Sequence, residues 1–221
     1  NNIMFLAADS LKQTNIDEMI MSISTRLSEG YEAKRVPFDQ LHLLATNNEY
    51  HWCSHHFQGE IRRAENALPL FNMIVLDIDG TMPLNVAQDL LKQYRAFFYT
   101  TKSHTEEVHR YRIILPINYE VEMDREEYNA CMDAVLQTLP FECDPATKDI
   151  ARKWMCNKGE YFYQEGELFD ILPFIPNTSR SDERQQAFQN QSDLDNLERW
   201  VLNNTGDGNR NNMLLRFAMI L

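Results

Sequence analysis

The stretch NMIVLDIDG at residues 72–80 constrains this chain more than any other segment. A run of β-branched and apolar residues that stops at a glycine reads as a strand. Successive strand side chains point to opposite faces, so Asp77 and Asp79 share one face while Leu76 and Ile78 share the other. Two carboxylates side by side at a strand end repel unless a cation lies between them. Hard oxygen donors in this arrangement suit Mg²⁺ or Mn²⁺. The plainer reading has one Asp opening the turn at Gly80 and the other merely solvated.

Around this strand, helical and extended patterns alternate. Ile16, Met19, Ile20, Ile23 and Leu27 step by three and four residues, which predicts an amphipathic helix ended by Gly30. HLLATNNEYHWCSHHF predicts a hairpin turning at Thr46, Asn47 and Asn48. From Pro83 to Phe97 the positions Leu84, Ala87, Leu90, Leu91 and Tyr94 predict a helix, followed by the strand AFFYTT. YRIILPI follows too closely for a helical crossover and is expected to pair antiparallel with AFFYTT. A helix over about 125–139 comes next, then FECD as a short strand end, a short helical stretch to Met155, and EYFYQEGELFDIL as a closing hairpin. After Pro176 the sequence turns polar and aperiodic, which predicts a linker over 177–192. Residues 193–221 carry helical patterns through Leu194, Leu197, Trp200 and Val201, then Met213, Leu214, Phe217 and Leu221. The absent initiator Met and the apolar ending are expected of a piece of a longer protein.

Asp144 adds a third carboxylate, although before Pro145 it is also placed to cap a helix. Three carboxylates on neighbouring strand ends would complete a two-metal site that activates a nucleophile and neutralises phosphate charge. The segment between them has the opposite sign: Lys102, His104, His109, Arg110 and Arg112 lie within eleven residues. Metal carboxylates beside basic groups are what a nucleoside triphosphate requires, whereas a solvated loop is the bland alternative. Arg112 stands apart, because inside an apolar strand it needs an anionic partner.

Composition bounds these readings. A length of 221 residues allows one domain with a sizeable core, or one domain and a fragment of a second. Twenty-one Lys and Arg against 33 Asp and Glu give a net charge of −12, which argues against coating nucleic acid or anionic membrane by bulk charge. A polyanion must meet a local basic patch, so binding to one by this piece alone is expected to be weak and salt-sensitive. No apolar run approaches the roughly 18 to 20 residues of a membrane span, and the start has no signal-peptide pattern. A soluble, cytoplasmic protein is expected. Cys53, Cys131, Cys143 and Cys156 lie far apart with no CxxC pair, which fits reduced thiols.

VLDIDG, YTTKSH, HRYRIILPI and the acidic residue of FECD, in that order and spacing, resemble the catalytic core of the archaeo-eukaryotic primase superfamily, in particular phage and mobile-element primase-polymerases. Asp77 and Asp79 match that family's first motif and Cys143 with Asp144 its third. Thr101, Lys102, Ser103 and His104 match the second more loosely, leaving either His104 or Arg112 in the family histidine's place against the triphosphate. Upstream, EYHWCSHHFQGEIRRAENA resembles the hairpin and arginine turn that precede the acidic strand. Downstream, GDGNRNNMLLRFAMIL resembles the first helix of a small helical domain.

The resemblance implies an α+β fold: an RRM-like antiparallel sheet as palm with an N-terminal α/β module over 1–176, then the linker and the start of a helical domain. It implies a DNA primase or polymerase acting on a single-stranded DNA template and primer with dNTP or NTP. Asp77, Asp79 and Asp144 would hold two Mg²⁺ or Mn²⁺ ions. Ser103, His104, Arg112, Lys102 and Arg110 would meet the nucleotide, and Arg62, Arg63, Lys148 and Arg152 template or nucleotide phosphates. A helicase domain or replication partner is implied in the full-length protein, and the cytoplasm of a host cell if it is phage-encoded.

MIVLDIDGT also fits the nucleophile motif of haloacid-dehalogenase-like phosphatases, and GDGNRNN imitates their last acidic motif. Against this, about 70 residues precede the motif, and Asn211 and Asn212 stand where a carboxylate is wanted. An antiparallel return through Arg112 separates the two readings. A non-catalytic nucleic-acid-binding replication module is the third possibility. His51, Cys53 and His55 share a strand face and could hold zinc, but three ligands so close on one strand rarely converge, and they are read as hairpin residues. Trp154 and Trp200 are read as core ahead of base-stacking roles.

Overall fold

A computed structural model of the protein describes residues 11–176. The expected linker at 177–192, the helical segment at 193–221, Trp200 and the GDGNRNN stretch lie outside the described residues. In order, the chain forms β1 (Met19–Ser24), β2 (Glu32–Val36), α1 (Leu41–Ala45), β3 (His51–Cys53), β4 (Leu70–Asp79) and α2 (Leu84–Leu90). There follow β5 (Ala96–Thr100), β6 (Arg110–Glu122), α3 (Arg125–Thr138), β7 (Trp154–Met155) and β8 (Tyr161–Gln164). These build two sheets, ordered β2-β1-β3-β7 and β4-β6-β5-β8, and every strand ladder in them is antiparallel. Among the described residues no helix is long and apolar enough to cross a membrane.

Strand alternation on β4 decides the layering. Ile74, Leu76 and Ile78 face α2 and α3, packing with Phe98, Ile113 and Leu115 against Leu84, Ala87, Tyr128, Met132 and Val135. Met73 and Val75 face the other sheet, where Phe97, Tyr99 and Ile114 meet Met19, Met21, Trp52 and Trp154. The helix layer begins firmly at α3, where Asp124 accepts the N–H groups of Glu126 and Glu127 and the Glu127 side chain bonds back to the Asp124 N–H.

Pro116 of β6 lies opposite Met73 and has no N–H to give the ladder, which shifts register between Phe71 and Met73. Asn72 fills the break. Its buried amide accepts the Ile20 N–H at 2.9 Å and donates to the Glu18 carbonyl at 2.9 Å, tying the two sheets together. At the far edge, Gly166 presses on the Gln93–Arg95 backbone, where an added Cβ would lie 2.5 Å from the Gln93 carbonyl oxygen.

Five local expectations are corrected. The segment expected to be helical from Ile16 is the strand β1, paired with both β2 and β3. Its apolar residues are buried because it is a central strand, so they satisfy helical spacing by coincidence. The expected hairpin at 42–57 is a single helical turn, α1, followed by β3, whose partners are β1 and β7. Leu41, Leu44 and Ala45 are buried together at i, i+3 and i+4. FECD forms no strand; Asp144 instead caps the short 3₁₀ turn Pro145–Lys148. The short helical stretch expected to reach Met155 is that turn alone, and Trp154 and Met155 form β7 against β3. The closing hairpin is absent, since β8 pairs with β5 and Phe169 bridges Ile117. The strands expected at NMIVLDIDG, AFFYTT and YRIILPI and the helix near 125–139 all form, with the expected antiparallel pairing of β5 and β6. All four cysteines are free thiols.

Candidate active site

The β4–β6 register places Asp77 opposite Arg112 and Asp79 opposite Arg110. Beyond them β5 and β8 continue the first row with Tyr99 and Tyr161. One transverse row thus reads carboxylate, guanidinium, phenol, phenol on the face toward the other sheet, at the end of β4. Gly80 closes that strand with φ of +88°, and its N–H donates to the His109 carbonyl at 3.0 Å. An added Cβ there would meet Val108 at 2.9 Å, so the turn requires glycine for both conformation and space.

Asp144 joins through the backbone: its N–H donates to the Asp77 carbonyl at 2.9 Å. One of its carboxylate oxygens, Oδ1, accepts the Ala146 N–H, leaving Oδ2 turned to Arg152 at 3.1 Å. The same Arg152 Nη2 lies 3.8 Å from Asp77 Oδ2, while Arg112 Nε lies 3.3 Å from Asp77 Oδ1. Asp79 is paired with Arg110 at 2.8 Å in the open, its side chain 63% exposed. Three aspartates therefore stand against three arginines.

Arg112, which its sequence setting said must have an anion, has Asp77 and more. Its Nη1 donates to the Met155 carbonyl at 2.6 Å and lies 3.3 Å from the Tyr99 hydroxyl, and its guanidinium is stacked on Tyr99 and Trp154. At 11% side-chain exposure it is fixed between the sheets. Trp154 is buried, with Arg112 on one side and Arg152 also within 5.5 Å of its ring. Burial pushes the Asp77 carboxyl above its ordinary pKa, against the pull of Arg112 and Arg152 and with the help of Asp144 and Asp79. The Cys143 thiol beside them is pushed up to about 12 by burial and by Asp77 and Asp144, so it stays protonated.

The remaining sequence candidates divide. His104 lies in the β5–β6 turn, where its Nδ1 stands 3.0 Å from the Arg110 backbone nitrogen and 3.2 Å from the Arg110 carbonyl oxygen. His104 thus meets the site through the backbone of Arg110. Lys102 and Ser103 are exposed on the same turn. Arg62 is drawn away to the Leu27 and Ala151 carbonyls, at 3.1 and 2.8 Å. Arg63 is exposed beside Glu65, and Lys148 is paired with Asp133 of α3 at 2.8 Å. Of the four basic candidates outside the loop, only Arg152 reaches the aspartates. Sequence reasoning missed Tyr99 and the Met155 carbonyl; the alternation in AFFYTT, set in register with YRIILPI, could have placed Tyr99 beside Arg112. His51, Cys53 and His55 do not gather: His51 approaches the Arg26 carbonyl and His55 is buried against Phe71 and Tyr128.

The donor set is of the hard-oxygen kind that suits a divalent cation, and Asp77 Oδ2 and Asp144 Oδ2 already converge on one positive nitrogen. It is gathered around arginine rather than preassembled around a metal. Among the described residues no three His, Cys, Asp or Glu side chains stand together as a ready cation site.

An antiparallel sheet with this charged strand end falls within a known family: the VapE N-terminal domain matches residues 54–166, and the chain belongs to that family. All three aspartates and Arg110, Arg112 and Arg152 lie inside the matched segment. Among solved structures the chain is similar to the AEP domain of the cyanophage S-2L primase-polymerase, at 13% identity and a TM-score of 0.42, over 74% of this chain and 91% of that one. No curated protein matches it.

Proposed function

We propose that the chain is the catalytic core of a metal-dependent nucleotidyltransferase, a DNA primase-polymerase of the archaeo-eukaryotic type that makes or extends primers on single-stranded DNA. The observation that carries the reading is the β4–β6 register, which sets Asp77 and Asp79 against Arg112 and Arg110, with Asp144 docked on the Asp77 carbonyl. The antiparallel pairing of the acidic strand speaks against the phosphatase reading, whose core is parallel. The presence of all three aspartates speaks against a purely binding module.

In the proposed reaction a primer 3′-hydroxyl attacks the α-phosphate of a nucleoside triphosphate. A new oxygen–phosphorus bond forms, the bond to the leaving pyrophosphate breaks, and the hydroxyl proton is released. Asp77, Asp79 and Asp144 would hold Mg²⁺ or Mn²⁺, which would activate the hydroxyl and neutralise phosphate charge. Arg110 and the His104 imidazole, on the half-exposed rim, would meet the triphosphate, with Lys102 and Ser103 beyond them. Arg112 serves the site differently, holding Asp77 between the sheets. Template, primer and a helicase or other replication partner belong to the same proposal.

Extension of a labelled primer on a single-stranded template, with Mg²⁺ or Mn²⁺, tests it. The chain should extend the primer and the Asp77→Ala/Asp79→Ala protein should not. Extension that survives the double substitution would overturn the proposal. Absent extension, together with phosphate release from small phosphoesters, would favour the phosphatase reading.

A further inference from the structure

Arg152 has an unusual position for a phosphate ligand. Its Nη2 occupies the point where Asp144 Oδ2 and Asp77 Oδ2 converge, at 3.1 and 3.8 Å. The other carboxylate oxygens there have neighbours of their own: Asp144 Oδ1 accepts the Ala146 N–H, and Asp77 Oδ1 lies 3.3 Å from Arg112 Nε as an ion pair. Arg112 cannot leave without abandoning the Met155 carbonyl and Tyr99. Arg152 is held more loosely. Its side chain is 35% exposed against 11% for Arg112, and among the described residues no backbone carbonyl or phenol holds its guanidinium as Met155 and Tyr99 hold that of Arg112. Its backbone N–H closes a turn on the Asp149 carbonyl, so the side chain can change partners while the backbone stays. The Trp154 ring beneath it offers a cation-attracting face along which it can move.

We propose that Arg152 stands in for a divalent cation between Asp77 and Asp144 in the metal-free protein and moves to phosphate oxygens when the cation displaces it. This rests on the nucleotidyltransferase reading. Three aspartates and three arginines leave the metal-free site near neutrality, so it attracts neither cation nor triphosphate strongly. A bound cation frees one guanidinium for the phosphates, and phosphates that hold the guanidinium vacate the cation's place. Metal and nucleotide affinities are thereby coupled, and linkage makes the coupling equal in both directions.

Binding of Mn²⁺ to the full chain, followed by the electron paramagnetic resonance of the free ion, tests this without any turnover. It is measured alone and with a nucleoside triphosphate whose α,β-bridging oxygen is replaced by methylene. Arg152→Gln should bind Mn²⁺ about tenfold more tightly than the parent chain in the absence of nucleotide, because one positive charge has left a partly screened site. The gain in Mn²⁺ affinity that the nucleotide produces should shrink in the same variant. Arg152→Lys keeps the charge and should behave like the parent, and circular dichroism checks that both are folded. Mn²⁺ affinity that depends on Asp77 but is unchanged or weaker in Arg152→Gln would overturn the role of Arg152 alone. Mn²⁺ that binds none of these proteins, or binds Asp77→Asn as well as the parent, would remove the nucleotidyltransferase reading and this inference with it.

Discussion

Strand β6 carries a buried ion-pair network at each end, and the two behave oppositely. At the Glu120 end, a carboxylate 4% exposed receives Arg35 Nη1 at 2.7 Å and Lys12 Nζ at 3.2 Å. Burial pushes its pKa up, but the short charge-assisted bonds from Arg35 and Lys12 outweigh this and leave it below its ordinary value. At the Arg112 end, Asp77 is also largely buried, yet its cations stand at 3.3 and 3.8 Å and two further aspartates crowd it. Its pKa is raised, with burial as the largest cause. The first network is closed: the buried acid is fully bonded, its two cations also reach the more exposed Glu18, and together they join the β1–β2 sheet to β6. The second is an acid left short of positive charge at close range, a state that a structural pair has no reason to keep and a ligand site does.

The largest expected effects separate the two ends. If Asp77 holds a catalytic metal as proposed, Asp77→Asn should lower primer extension by about 10³-fold or more, since several kcal/mol of transition-state charge stabilisation would be lost at roughly 1.4 kcal/mol per tenfold. Its folding stability should change less than that of Glu120→Gln, because relief from burying an ionised carboxylate offsets the anion that Arg112 loses. Glu120→Gln should do the reverse. It should lose about 2 kcal/mol in urea unfolding, from broken bonds to two cations around a buried acceptor, while extension per folded molecule stays at the parent level. Equal losses of activity in the two variants would erase the distinction between them.

Acid titration sharpens the same contrast. For Glu120 the folded pKa lies below the ordinary 4.5, so its contribution is complete above pH 4.5 and is lost as pH falls through the folded value. For Asp77 the folded pKa lies above the ordinary 3.8, so the folded state is penalised as pH rises from 3.8 through the folded value. The stability advantage of the parent over Glu120→Gln should therefore shrink on acidification. Relative to Asp77→Asn the parent should instead gain on acidification. Slopes of the same sign for both differences would contradict the assigned directions.

The sequence made one half of this arrangement legible. Asp77 and Asp79 could be placed on one face because the β-branched, apolar run before Gly80 reads as a strand, whose side chains alternate, and β6 could be paired because the turn after AFFYTT is too short for a crossover. Arg112 announced its need for an anion by lying in an apolar strand. What stayed hidden was set by contacts distant along the chain. β1 has the apolar spacing of a helix and reads as one; what makes it a strand is its pairing with β2 and β3 and the Asn72 amide, 52 residues away, that takes the Ile20 N–H. Nothing in FECDP tells that the Asp144 N–H docks on the Asp77 carbonyl, or that Arg152, eight residues on, would swing back to both carboxylates. Arg62 looked like a phosphate ligand and is used as a brace, because the carbonyls that bind it belong to residues 27 and 151.

The smallest effect is expected at Arg110. It pairs with Asp79 at 2.8 Å, but the partners are 38% and 63% exposed, and pairs of this kind contribute little once both ions are hydrated and screened. Arg110→Gln should cost under about 0.5 kcal/mol of stability at physiological salt. Its backbone, which holds His104 by the N–H and Thr101 by the carbonyl, is untouched by the change. If Arg110 is a donor to the triphosphate, the variant should raise KM for the nucleotide by roughly five- to tenfold, the worth of one charge-assisted bond at a wet rim, with kcat moved less. The effect on KM should weaken as salt is raised. A stability loss as large as that of Glu120→Gln would mean that Arg110 braces the β4–β6 end as Arg112 does, and the line between a fixed and an exchangeable arginine would have to be redrawn there.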